Sequence, residues 1–144
     1  MSEVAKTRPE YRNINIFSDV RTYRLPAAGL VSILHRVSGA IMFLLLPFII
    51  WMFDKSLSSE ISYGQFTSAF SAGLGFLPGS GVKLVALVLI WAYLHHFIAG
   101  LRHLWMDTSH AAVTKEFGKT SAIFTLVVSI GLTIVLGAKL FGLY

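Results

Sequence analysis

Cysteine is absent from the 144-residue chain, and charged residues make up only 13% of it. The first absence excludes disulfides, thiolate metal sites and redox thiols, so that a redox centre would need other ligands. The charged fraction of the chain is well below that of an average soluble domain, which is roughly 25%. Because 55% of the residues are hydrophobic, the composition indicates a protein that lies in lipid rather than in water.

Three long stretches contain almost no charge: residues 37–53, 84–101 and 120–138. Each approaches the roughly 20 residues that a helix needs to cross a hydrocarbon core of about 30 Å. A soluble three-helix bundle is the alternative, but it would show polar faces at the helical period, and AIFTLVVSIGLTIVLGA shows none. The sequence therefore predicts an all-α integral membrane protein with three transmembrane helices, at about 26–53, 82–107 and 119–143.

Positive charge is distributed unevenly between the two ends of these spans. Nine of the 12 lysine and arginine residues come at or before the start of the first span, or between the second and third spans. By the positive-inside rule, the N-terminus faces the cytoplasm and the C-terminus faces out. We expect the membrane to be a bacterial inner membrane, with the C-terminus in the periplasm. We expect residues 1–25 to be a cytoplasmic segment and residues 26–144 a membrane domain. No basic, aromatic-interleaved patch indicates a nucleic-acid partner.

The stretch SILHRVSG, residues 32–39, places a histidine and an arginine at the start of the first span. Ser32 and Arg36 are one helical turn apart, and His35 lies on the same side. One alternative is that Arg36 reaches the lipid headgroups while Ser32 bonds its own helix backbone. Because ionisable groups at membrane depth are costly without a partner, the stretch is also a candidate binding site. Pro47, further along this span, predicts a kink on its N-terminal side.

The second span carries two adjacent histidines in WAYLHHFIAGLRHLWMD, residues 91–107. Neighbouring helical residues diverge by about 100°, so His95 and His96 cannot bind one metal together. His96 has small residues one turn before and after it, which leaves room for a flat macrocycle. His95 has Trp91 one turn before it, which favours a buried, hydrogen-bonded role. The spacing therefore points to His96 as a candidate haem ligand.

Further polar groups come from the same end of the bundle. His103 lies about 10 Å closer to the cytoplasm than His96, roughly the distance from a haem iron to its propionate edge. Cations at this end could neutralise the two propionate carboxylates of a haem, which would be costly near lipid without a partner. An interhelical hydrogen bond is the alternative for each histidine. Since the third span has no histidine, a second axial ligand would have to come from a partner chain.

SILHRVSG followed by HHFIAGLRHLWMD closely resembles the family of succinate dehydrogenase cytochrome b subunits, the larger of the two small membrane anchors of that enzyme. The resemblance covers nearly the whole chain, from a basic segment containing Arg8-Pro9 through three spans. It implies one half of a heterodimeric anchor bundle, with a second small anchor subunit, an iron–sulfur subunit and a flavoprotein subunit as partners. It also implies that the isolated chain is inactive and serves electron transfer within the complex.

The resemblance assigns roles to individual residues. The serine and arginine of S-x-x-x-R, here Ser32 and Arg36, are implied to bind ubiquinone, and the first histidine of H-x-x-x-G-x-R-H, here His96, to ligate haem b. The haem is implied to be shared with the second anchor subunit. Three further residues are implied to lie near the haem propionates: His35, Arg102 and His103.

Other functions remain open from the residues themselves. Some relatives run the reaction towards fumarate reduction or lack haem. A small membrane transporter using His95 and Arg36 is an alternative of a different class, although the third span offers only Thr and Ser as polar groups. A purely structural assembly protein with packed histidines is a further alternative.

Overall fold

The computed structural model describes Asn15, Asp19 and residues 23–144. Most of the predicted N-terminal segment, residues 1–25, lies outside the described residues, as does the Arg8-Pro9 pair. In the described part, the chain forms five α-helices and no strand. The helices are α1 (Ala27–Leu44), α2 (Leu46–Leu57), α3 (Glu60–Ala69), α4 (Gly79–Thr108) and α5 (Lys115–Leu140).

The first span is divided into α1 and α2 by a break at Leu45, where φ is −91° and ψ is 5°. Pro47 follows two residues later and has no N–H to donate to the carbonyl of Phe43, so a regular helix cannot continue through this point. The break lies on the N-terminal side of Pro47, where the sequence predicts a kink. The first span is therefore two helices rather than one.

Residues 58–78 join α2 to α4 and include α3, whose first residue, Glu60, is the only charged side chain in this segment. Ser59 starts α3 with a reciprocal cap: its hydroxyl accepts from the N–H of Ser62 at 3.1 Å, and its own N–H donates to the Ser62 hydroxyl at 2.9 Å. After α3, Leu74 and Leu77 exchange two backbone hydrogen bonds of 2.8 and 3.0 Å. This tight turn returns the chain to the start of α4.

The helices α1, α4 and α5 pack together, and each is long and apolar enough to cross a membrane. Val31, Ala99 and Ala122 are fully buried where the three meet, and small side chains of this kind let membrane helices approach closely. The outer surface is also apolar, since Phe43 is 74% exposed and Trp105 62%. A lipid environment accounts for such a surface, and the predicted multi-pass, all-α membrane fold is confirmed. The helix α2 contacts mainly α3.

Candidate functional site

Two histidines from different helices stack against each other in the bundle. The ring centroids of His35 on α1 and His96 on α4 are 4.1 Å apart, and the ring planes differ by 20°. Nδ1 of His96 lies 3.0 Å from the backbone carbonyl oxygen of His35. Because a carbonyl only accepts, Nδ1 carries the proton and Nε2 carries the lone pair. No described residue hydrogen-bonds that Nε2, so it is available as a metal ligand.

A glycine on α1 makes room for the His96 ring. A Cβ atom at Gly39 would lie 2.9 Å from Cε1 of His96, whereas packed carbon atoms are about 3.5–4.0 Å apart. A Cβ at Gly100 would lie 3.6 Å from Nε2 of His35, which is an ordinary contact. Sequence reasoning looked for this space on α4 itself and missed Gly39, because the spacing within one helix does not show which residue of a neighbour it meets.

His103 extends the histidine cluster by one more ring. Its centroid is 5.2 Å from that of His35, with the planes inclined at 45°. Nε2 of His35 is buried and has no hydrogen-bond partner among the described residues. A buried polar atom without a partner is costly, so this nitrogen is a candidate contact for a polar group of a bound ligand. The structure thus brings together three of the predicted site residues, His35, His96 and His103.

His95 faces away from this cluster. It is 0% exposed, and its Nδ1 lies 3.2 Å from Oγ of Ser129 on α5. Its ring also stacks on Trp91, with centroids 5.6 Å apart. The buried, hydrogen-bonded position predicted for His95 is confirmed. Because a fully enclosed ring leaves no room for a macrocycle, the half-buried His96 is the better candidate ligand of the pair.

Arg102 is directed towards α5 rather than towards the histidines. Its Nε donates to Oγ of Ser121 at 2.9 Å, and its Nη2 donates to the carbonyl oxygen of Gly118 at 3.2 Å. The side chain is only 8% exposed. These two contacts do not bring Arg102 into the histidine cluster, although its Nη1 has no hydrogen-bond partner in the described part of the chain.

The hydroxyl groups of α5 have two kinds of partner. The first is the helix itself: Ser121 donates to the carbonyl of Phe117 at 2.7 Å, and Ser129 to that of Leu126 at 3.2 Å. Both serines also contact α4, through Arg102 and His95. Sequence reasoning missed these interhelical contacts, because hydroxyls in an otherwise apolar span show no signal that separates the two roles.

Ser32 and Arg36 lie one turn apart on α1, beside the stacked rings. The hydroxyl of Ser38 donates to the carbonyl of His35 at 2.8 Å, but Ser32 makes no such bond to its own helix within the described structure. Ser32 is half-buried and Arg36 exposed. A hydroxyl and a guanidinium are therefore both available to a ligand at this end of the bundle.

Across residues 23–144, together with Asn15 and Asp19, no three His, Asp or Glu side chains converge as a metal site. Among the described residues, His96 is the half-buried histidine whose ring is oriented by a hydrogen bond through Nδ1 and whose Nε2 has no partner. A single histidine suits an iron that is already held by a macrocycle. The described residues thus define a three-span membrane protein with one oriented histidine, a candidate ligand, and a polar end.

Comparison with known proteins gives the family. Residues 6–136 match the family described as succinate dehydrogenase/fumarate reductase transmembrane subunit, and the chain belongs to this family. It is 30% identical over 118 residues to the succinate dehydrogenase cytochrome b556 subunit of Coxiella burnetii, covering 82% of this chain and 87% of that protein.

Two further relatives agree with this assignment. The succinate dehydrogenase cytochrome b556 subunit of Paracoccus denitrificans is 27% identical over 119 residues, covering 76% of this chain and 86% of its own length. The succinate dehydrogenase cytochrome b560 subunit of Reclinomonas americana is 31% identical over 101 residues, covering 69% of each chain. The resemblance to succinate dehydrogenase cytochrome b subunits is confirmed, and the chain is a transmembrane subunit of this oxidoreductase family.

Proposed function

We propose that the chain is the cytochrome b anchor subunit of succinate dehydrogenase, which carries electrons from an iron–sulfur subunit to ubiquinone. Its other partners are a flavoprotein subunit that oxidises succinate and a second small anchor subunit that completes the helix bundle. The observation that carries this proposal is the orientation of His96, whose Nδ1 is held by a backbone carbonyl while Nε2 has no hydrogen-bond partner in the described part of the chain. The cytochrome names of the relatives support it.

In this proposal His96 would hold the iron of haem b through its Nε2. Histidine ligands of metals donate their other ring N–H to a carbonyl or carboxylate, which fixes the tautomer and the ring orientation. The 3.0 Å contact with the carbonyl of His35 provides such a partner. Bound haem would supply one-electron redox chemistry, and the partner anchor would contribute the other residue that holds it. Near the propionates we place His35, His103 and the unpaired Nη1 of Arg102, which can offer hydrogen bonds or positive charge.

Ser32 and Arg36 bind the ubiquinone headgroup in this proposal. The guanidinium of Arg36 donates to a quinone carbonyl and stabilises the negative charge that develops on that oxygen as electrons arrive. Ser32, one turn away, donates a further hydrogen bond and fixes the position of the headgroup. The absence of an intrahelical bond to the Ser32 hydroxyl supports this role, since the hydroxyl need not leave another partner to bind quinone.

The proposed topology places this site on the side where electrons arrive. The N-terminus and the connection from α4 to α5, which carries Lys115 and Lys119, face the cytoplasm of a bacterial inner membrane. The start of α1 and the end of α4, which hold the histidine cluster, then lie on the cytoplasmic side. A soluble iron–sulfur subunit would dock there, and the C-terminus would lie in the periplasm.

The family also includes fumarate reductase subunits, and an anchor that passes electrons from quinol to fumarate is the second candidate. The transporter alternative has less support. The hydroxyls of Ser121, Thr125, Ser129 and Thr133 all donate to carbonyls of their own helix, so they do not form a hydrogen-bonded path through α5.

The haem role can be tested on the complex purified through a tag on this chain. We expect the dithionite-reduced minus oxidised spectrum to show a b-type signal that is lost or changed in His96→Ala. The matched control is His110→Ala, which removes an exposed histidine outside the helix bundle and should leave the spectrum unchanged. An unaltered spectrum in His96→Ala would refute the assignment of this ligand.

The quinone role is tested by steady-state kinetics of ubiquinone reduction by succinate. Loss of a charge-assisted hydrogen bond, worth roughly 1.5–3 kcal/mol, should lower kcat/KM for quinone about 10- to 150-fold in Arg36→Ala. Ser32→Ala should lower it about 2- to 10-fold. Arg24→Ala removes an exposed cation just before α1 and serves as the control. Equal effects of Arg36→Ala and Arg24→Ala would argue against the proposed site.

A further inference from the structure

The interface between α4 and α5 contains two polar contacts at different heights. One is the pairing of Arg102 with Ser121 and the Gly118 carbonyl, and the other is the 3.2 Å contact between His95 and Ser129. Positions 95 and 102 on α4 are about 10 Å apart along the helix axis, so the two contacts hold α5 at two separate points.

Between helices in lipid, directional polar contacts determine how one helix is rotated relative to its neighbour. Lipid tails are as apolar as the side chains, so the hydrophobic effect does not choose one rotation of a helix over another. Ala92 and Ala99, which lie on the buried side of α4, would accept several rotations. Two polar contacts with α5 select a single rotation and a single axial position.

The imidazole of His95 contributes a directional contact with Ser129, which packing by an apolar side chain would not provide. Nδ1 of His95 lies 3.2 Å from the Ser129 hydroxyl, which also lies 3.2 Å from the carbonyl oxygen of Leu126. Nε2 of His95 is buried with no hydrogen-bond partner among the described residues. An apolar side chain of similar size would fill the space without burying an unpaired nitrogen. What histidine offers over such a side chain is the contact with Ser129.

We propose that His95 is a positioning residue for His96: its contact with Ser129 sets the rotation of α4, and this rotation turns His96 towards α1. The inference rests on the haem role proposed for His96. The two rings are attached about 100° apart, so a rotation that satisfies one contact determines the other. A rotation of about 20° moves an atom 5 Å from the helix axis by nearly 2 Å, enough to break the 3.0 Å hydrogen bond from His96 to the His35 carbonyl.

Four variants of the assembled complex test this inference. Ser129→Ala and His95→Leu remove the contact, whereas His95→Gln keeps an N–H donor that can reach Ser129. The control Thr125→Val removes another buried hydroxyl of α5, which donates only to the carbonyl of Ser121.

Two measurements are made on each variant. The first is the haem signal: the low-spin electron paramagnetic resonance line shape and the rate of haem transfer to apomyoglobin. The second does not depend on haem. A Val31→Cys/Ala99→Cys pair, introduced into this cysteine-free chain, reports the contact of α1 with α4 as the fraction of thiols that oxidation protects from a maleimide reagent. Both positions belong to the buried cluster where the helices meet.

We expect Ser129→Ala and His95→Leu to broaden the haem signal, to raise the rate of haem loss about threefold, as for one interhelical hydrogen bond, and to lower the protected thiol fraction. His95→Gln should recover both readouts, and Thr125→Val should match wild type. Ser129→Ala behaving like Thr125→Val, or His95→Gln like His95→Leu, would overturn the inference. A wild-type complex without haem, but with thiol protection that follows the expected pattern, would support the positioning by His95 and reject the proposed haem role.

Discussion

Replacing Gly39 by alanine adds one methyl group where α1 packs tightly against the ring of the proposed haem ligand, His96. The new Cβ would lie 2.9 Å from Cε1 of His96. To reach a contact of about 3.5 Å, the ring would have to retreat by at least about 0.6 Å. A retreat away from α1 lengthens the 3.0 Å hydrogen bond between His96 and the His35 carbonyl beyond the usual limit for a hydrogen bond.

The expected effect falls on haem and not on the stability of the helix. Loss of the hydrogen bond that orients a metal ligand typically lowers metal affinity about 10- to 100-fold. Alanine stabilises a helix interior by roughly 0.5–1 kcal/mol relative to glycine, which offsets part of the cost of the crowded contact. Gly39→Ala should therefore assemble the complex but retain much less haem.

Haem b per complex, measured as the pyridine haemochrome after dilution and washing, checks this expectation. Gly131→Ala is the matched control, because it makes the same substitution on α5, where no other residue lies within 4 Å of the added Cβ. Gly100→Ala, with its ordinary 3.6 Å contact to His35, should have a smaller effect than Gly39→Ala. Full haem content with an unchanged spectrum in Gly39→Ala would refute the close packing of His96 against α1.

Two further predictions concern the helices themselves. Arg102→Leu should lower the temperature at which the complex aggregates, because it leaves polar groups of the α4–α5 interface without their hydrogen-bond donor, at a cost of roughly 1–3 kcal/mol. The control Lys119→Ala, at an exposed position, should leave this temperature unchanged. Equal effects of the two substitutions would contradict a structural role for Arg102. Pro47→Ala should allow a straighter first span. The distance between spin labels at Ile33→Cys and Leu57→Cys, measured by double electron–electron resonance, should then approach the roughly 36 Å of a continuous helix. An unchanged distance would show that Pro47 does not cause the break.

The spans could be predicted from the sequence because lipid imposes a simple requirement. A helix surrounded by hydrocarbon cannot carry charge along its length, and three charge-free runs of sufficient length meet that condition without reference to one another. The break near Pro47 was predictable for the same reason, since a missing N–H acts on its own helix.

The roles within the histidine pair were only partly predictable. Trp91 one turn before His95 indicated a buried ring, and the structure confirms it. The partner of Arg102 was not predictable, because a cation near the end of a span suits a ligand carboxylate and a neighbouring helix equally well. Choosing between them requires knowing that Ser121 and the Gly118 carbonyl face α4, which depends on how two distant parts of the chain pack.

The break at Leu45 has a consequence for how the chain fits its bilayer. One straight helix over residues 27–57 would be about 46 Å long, and a hydrophobic segment that exceeds a core of about 30 Å must tilt steeply or distort the lipid around it. With two segments, α1 keeps the inclination set by α4 and α5, and α2 takes up the difference by changing its angle at one residue. Membranes of different thickness are then accommodated at the α2 end of the first span, while the histidine cluster at the other end stays in place.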